Sequence, residues 1–188
     1  MQGMLRWSLV LAGVLLLVKG SLAGEAENPF KKAKVGDWVS YSTVTVMSVG
    51  GMKTNSTVKQ TVKAKDEKEL TVLFEMDTAG QKHSQEVKIP LDKPYDPAAA
   101  APKAPQAKVE KLGEGDETIT VGGKQYACHW TQVKATMGPA AVSTSKVWSC
   151  PDVPLGGTVK METVVDVTAG DTVMKTTSTM ELTGAGSQ

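Results

Sequence analysis

The sequence predicts an all-β fold, an antiparallel meander of about eight or nine strands forming a curved sheet, half-barrel or barrel. Three observations carry this. Apolar residues recur at every second position over long stretches, glycine-centred turns punctuate those stretches, and the helical period of 3.6 is absent beyond the N-terminus. Valine and threonine fill the alternating runs, which suits a pleated surface and makes poor helix.

The elements follow in chain order. MQGMLRW carries a single positive charge, Arg6, and precedes the unbroken apolar run Leu9 to Val18. Ser21-Leu22-Ala23 then sets small residues where a signal peptidase reads, so residues 1–23 are expected to be a signal peptide cleaved after Ala23, with Ala26 as the second position. An uncleaved anchor would need about 20 apolar residues, and this run has ten. The chain is therefore expected to be exported, to the periplasm or the extracellular space, with no stable membrane span after cleavage. Residues 24–34 are polar and lack alternation, which predicts a flexible lead-in.

Residues 35–183 are expected to be a single all-β domain, because the 165 residues left after cleavage are enough for one core of ordinary size. Val58, Val62 and Ala64, then Leu70, Val72, Phe74 and Met76, then Val87 and Ile89 alternate with polar residues. Val159, Met161, Val165 and Val167 resume the pattern, followed by Met174, Met180 and Leu182. Each such run is a strand with one wet face. Turn chemistry separates them at Gly50-Gly51, Asp66 to Glu69, Ala79-Gly80, Gly122-Gly123, Gly138-Pro139, Gly156-Gly157 and Ala169 to Asp171. A Pro/Ala-rich loop at 93–108 interrupts the meander, and Gly184 to Gln188 reads as a frayed tail.

The stretch Tyr126 to Cys150 holds both cysteines, His129, Trp130 and Trp148. A hairpin turning at Gly138-Pro139-Ala140 pairs residues whose numbers sum to 278, so Cys128 faces Cys150, Trp130 faces Trp148, Gln132 faces Lys146 and Lys134 faces Thr144. In an oxidising compartment, Cys128 and Cys150 are expected to form a disulfide. A zinc site built from Cys128, His129 and Cys150 is disfavoured, since Cys128 and His129 are strand neighbours on opposite faces and a fourth ligand is missing.

Composition removes other classes. Without Arg6 and Lys19, 19 lysines face 20 acidic residues, a net charge of −1 with no arginine. Such a surface lacks the forked donor used for phosphate and base-edge recognition, so nucleic acid is excluded as a partner. The sequence has no Gly-x-Ser-x-Gly, His-Glu-x-x-His, phosphate loop or dinucleotide fingerprint, so no enzyme activity, cofactor or metal is expected. His83 and His129 read as ordinary strand residues, and the carboxylate pairs Glu67 with Glu69 and Asp116 with Glu117 as solvated charge. Asn55-Ser56-Thr57 fits a glycosylation acceptor only in a host that glycosylates. Met47, Met52, Met76, Met137, Met161, Met174 and Met180 read either as core filler or as the lining of an adaptable pocket.

The phrase VWSCPDVPLGGTVKME, with VGDWVSYST at Val35 to Thr43 and TITVGGKQYACHW at Thr118 to Trp130, is similar to small exported bacterial proteins of unassigned function. These resemble, distantly, the lipoprotein-carrier superfamily. The resemblance implies one curved sheet in an open half-barrel and an apolar groove. A sheet with one apolar face and no helix to cover it must close or leave a groove, so two functions are expected: with an open groove, a binding module for an apolar ligand, lipid or acylated protein; with closure, a structural and protein-contact domain of the cell envelope with no small-molecule ligand.

Overall fold

The computed structural model describes residues 28–92, 108–138 and 140–187. The expected signal peptide lies outside these residues, as does almost all of the Pro/Ala-rich loop. Nine strands are present: β1 (Asp37–Met47), β2 (Lys53–Lys65), β3 (Glu69–Thr78), β4 (Gln81–Pro90), β5 (Lys108–Val121), β6 (Lys124–Met137), β7 (Ala141–Ser149), β8 (Thr158–Ala169) and β9 (Thr172–Ser187). Every pairing is antiparallel, and the described residues form no helix.

The sheet order is β4-β3-β2-β1-β9-β8-β7-β6-β5. Two hairpin meanders, β1–β4 and β5–β9, are thus joined side by side through the β1–β9 ladder, and β4 and β5 remain as free edges of a sheet that does not close into a barrel. It curls nonetheless. Four strand spacings in a flat sheet would separate β5 from β9 by about 19 Å, yet residues of the two come within 8 Å, Cα to Cα. Register shifts at Ser40/Tyr41, Val62/Ala64, Lys111/Gly113 and Trp148/Ser149 supply the bends.

Residues opposite one another in register share a face, which defines an inner surface. Val39, Gln60, Phe74 and Gln85 form one inner row. Thr43, Met180, Met161, Val147 and Thr131 form another. In the β1–β4 half, Val39, Tyr41, Val62, Leu70 and Val72 are almost wholly buried. In the β5–β9 half the inner surface mixes large residues, Val133, Val147, Met161 and Met180, with small ones, and Ala135, Ser143 and Ser145 are buried there. Ser145 and Thr163 share a hydroxyl hydrogen bond of 3.0 Å, which satisfies the buried Ser145, and the half-buried Thr45 and Ser178 share one of 2.8 Å.

Two segments outside the strands floor the inner surface. The lead-in is ordered from Asn28 onward, contrary to the sequence expectation, because it has side chains to bury: Phe30 and Ala33 join the core. Asn28 Nδ2 donates to the Pro90 carbonyl, and the Lys65 ammonium donates to the carbonyls of Lys31 and Ala33. The connection from Cys150 to Gly157 buries Val153 and Leu155 in the same cluster. Tyr41 reaches across β9 to donate its hydroxyl to the Thr158 carbonyl at 3.2 Å, and burial pushes that phenol well above its usual range.

The tail is also corrected. Gly184 to Ser187 belong to β9 and pair with β1 rather than fraying. Trp38 of β1 lies flat over them, and a Cβ on Gly184 or Gly186 would sit 3.0 Å from its indole. The same device recurs four strands away. Trp130 of β6 covers Gly113 and Gly115 of β5, where added Cβ atoms would meet the indole at 3.3 and 3.1 Å. In both places a bulge, at Leu112 and at Thr183, precedes the glycine pair, and a lysine of the next strand caps the indole: Lys146 at 4.3 Å over Trp130 and Lys59 at 5.3 Å over Trp38. The indole thus covers strand backbone that carries no side chains of its own.

Candidate functional site

Two regions combine unusual side chains with partial burial: the β6–β7 hairpin and the open part of the inner surface. The hairpin has the register read from the sequence. Trp130 pairs with Trp148, Gln132 with Lys146, Lys134 with Thr144, and the ladder begins at His129 with Ser149. One further step sets Cys128 opposite Cys150, which stands just past the end of β7.

Cys128 and Cys150 are each only 3% exposed. Both carry free thiols, so the expected disulfide is not present in the structure. The surroundings of Cys128 favour its protonated thiol. Burial pushes the Cys128 thiol up to about 11, helped by the neighbouring Cys150 thiol and by Glu117, its partner on β5. Beyond Cys150 the chain turns back on itself: Cys150 N donates to the Gly157 carbonyl at 2.7 Å, and Val153 N donates to the Cys150 carbonyl at 3.1 Å.

Glu117 organises the outer side of the hairpin. Its carboxylate accepts from Trp148 Nε1 at 2.9 Å and from Lys146 Nζ at 3.4 Å, and the indole hydrogen bond leads in holding its carboxyl below the usual range. The ammonium groups of Lys146 and Lys160 lie over the Trp148 ring, 4.5 and 5.5 Å from its centroid. Trp148 is buried in the core cluster with Cys128, Cys150 and Val153, with Trp130 packed against that cluster and the lysine ammonium groups over its ring.

His129 points away from the thiols, as strand alternation requires. Its Nδ1 lies 2.9 Å from Asp116 and its Nε2 3.4 Å from Glu114, whose other oxygen is 2.6 Å from Lys111 Nζ. The group is exposed, and the described residues contain no cluster of three or more His, Cys, Asp or Glu that could hold a metal ion. Asp116 leads in raising the His129 pKa above 6.5. The protonated ring gains the pairing, so its contribution is full below pH 6.5 and is lost as pH rises through the raised folded value. A proton-NMR titration is expected to place His129 above 6.5, and Asp116→Asn is expected to bring it down.

The remaining sequence candidates separate. Asp116 and Glu117 face opposite sides of β5, the first toward His129 and the second toward Trp148. Glu69 pairs with Lys88 at 2.8 Å, and Asp66 caps the turn by accepting from the backbone of Lys68 and Glu69. Glu67 lies in that exposed turn, His83 is exposed on β4, and Asn55 is exposed on β2. The methionines divide as well: Met180 is buried core and Met161 packs against it, whereas Met52 and Met76 are exposed and Met47, Met137 and Met174 are half-buried.

The inner surface of β2–β4 grades from dry to open. Leu70 faces Ile89 and Val72 faces Val87 at the floor, Phe74 faces Gln60 and Gln85 one step higher, and Met76 faces Val58 and His83 at the rim. Exposure rises along β3 from 0% at Leu70 and Val72 to 39% at Met76, with Phe74 and Val87 partly buried between them. The arrangement is a shallow trough continuous with the core, uncharged along its β3 row and flanked by Gln60, Gln85 and His83 toward the rim. The burial of Phe30 and Leu155, and the cover of Trp38 over Gly184 and Gly186, escaped sequence reasoning because their partners lie far along the chain; Trp130 over Gly113 and Gly115 lies within one hairpin, and the paired spacing Gly113-x-Gly115 and Gly184-x-Gly186 was the available signal. No family model matches this chain, and no curated protein matches it.

Proposed function

We propose that the protein is a non-enzymatic, exported binding module that takes an apolar chain, from a lipid or an acylated protein, along the inner surface of β2–β4. The observation that carries this reading is the row Val72, Phe74, Met76, which runs without a break from the fully buried floor to an exposed rim. Methionine and phenylalanine at the open end give a surface that can adapt to a flexible hydrocarbon. Export follows from the N-terminal pattern, and in an oxidising compartment the opposed Cys128 and Cys150 close into a cystine. Mass spectrometry of organic extracts from the purified protein is the first test. A stoichiometric lipid or fatty acid supports carriage, and none above a control protein purified alongside counts against it.

A second reading, a structural or protein-contact domain of the envelope without a ligand, is favoured by the β5–β9 half. There the inner surface buries its own Val133, Ala135, Ser143, Ser145 and Val147. Extracts free of lipid, together with no uptake of added fatty acid, support it.

A further inference from the structure

We propose that the Cys128–Cys150 bond can be made only before the β6–β7 hairpin and the 150–157 connection pack together, so that the folded protein keeps whichever oxidation state it had on folding. The inference rests on the staple reading above and adds its order of events.

Four features of the site shut out an oxidant. Both residues are 3% exposed, and Trp148, next on the Cys128 face, is 5% exposed. On the β5 side stands Glu117, fixed by Trp148 and Lys146, whose negative charge opposes a thiolate at Cys128. On the far side the chain from Cys150 to Gly157 doubles back, burying Val153 and Leu155 at 5% and 4% exposure. Gly157 is pressed so close that a Cβ there would lie 2.6 Å from the Cys150 carbonyl oxygen. These contacts leave no path for a second disulfide to line up with either sulfur.

The chemistry needs such a path. The Cys128 thiol loses its proton to solvent, and the thiolate attacks one sulfur of an incoming disulfide, R–S–S–R, whose S–S bond breaks to release RS⁻. The Cys150 thiolate then attacks the Cys128 sulfur of the mixed disulfide, forming the cystine and expelling the second RS⁻. Both thiolates that leave take up protons, so two protein thiols are oxidised and one R–S–S–R is reduced to two RSH. With the Cys128 thiol at about 11, about one molecule in 10⁴ carries the attacking thiolate at pH 7. In the unfolded chain neither the shielding nor the raised pKa applies.

The test uses the full chain, reduced and folded, with oxidised glutathione as the oxidant. One sample meets it in native buffer and the other in guanidinium before refolding; thiols are counted after denaturation, and the cystine is located by peptide mass. The native sample is expected to keep both thiols at least about 100-fold longer than the unfolded one. Val153→Ser, which loosens the connection, is expected to speed oxidation in the native arm and leave the unfolded arm unchanged. Equal rates in the two arms for the parent chain overturn the order of events while leaving the staple standing. A Cys128–Cys150 cystine in neither arm overturns the staple and this inference with it.

Discussion

Gly157→Ala is expected to destabilise the protein by about 3 kcal/mol or more, a fall in Tm of about 6–12 °C. Two terms add. Gly157 has φ +75°, in the left-handed region, where an alanine costs about 1 kcal/mol. Its Cβ would also lie 2.6 Å from the Cys150 carbonyl oxygen, with the Cys150 carbon and nitrogen at 3.3 and 3.4 Å. All three are backbone atoms, tied by the Cys150–Gly157 and Val153–Cys150 hydrogen bonds, so the clash is relieved only by opening the connection. Gly122→Ala is the control: φ is +58° and nothing lies within 4 Å of the added methyl, so only the backbone term of about 1 kcal/mol is expected. Thermal melts of the two variants check the difference. Equal losses would mean that the 150–157 connection does not grip Cys150 as described.

Leu70→Ala is expected to cost about 2–5 kcal/mol, whereas Met76→Ala, six residues along the same face of β3, is expected to cost less than about 1 kcal/mol. Leu70 is wholly buried and packs in the cluster that also holds Phe30, Leu91 and Leu182, so truncation leaves a cavity. Met76 is 39% exposed and leaves a gap that water fills. Denaturant unfolding gives both numbers. A large loss at Met76 would show that the upper inner surface is closed core, and the trough would lose its basis.

The register of β6 and β7 was legible in the sequence because two independent pairs, cysteines and tryptophans, demanded the same turn at Gly138. Strand identity was legible wherever alternation was unbroken, as in Leu70 to Met76. It was less so at Val62 and Ala64, which read as one continuous face although a bulge separates them. The order of strands was hidden, since the β1–β9 ladder joins residues at opposite ends of the domain and no local pattern announces it. The same distance concealed the tail: Gly184 and Gly186 have no side chains to bury, and what holds this stretch is Trp38 over the glycines and Asp37 accepting from the Ser187 hydroxyl, both from the other end. The lead-in failed for a related reason, because Phe30 and Ala33 are too few to make a periodic pattern yet sufficient to fill a floor. The trough was visible only as the groove the resemblance implied and as an inventory of methionines; which of them face open space depends on the curl of the sheet.

The central claim, that the inner surface of β2–β4 accepts hydrocarbon, is tested most directly by titrating the delipidated protein with a fluorescent fatty acid, alongside Phe74→Glu with its fold checked by circular dichroism. Saturable uptake by the parent chain, weakened at least about tenfold in the variant, is the expected result, since a charge would then stand where apolar area is buried against the ligand. Uptake that does not saturate, or that is equal in the two proteins, would contradict the account.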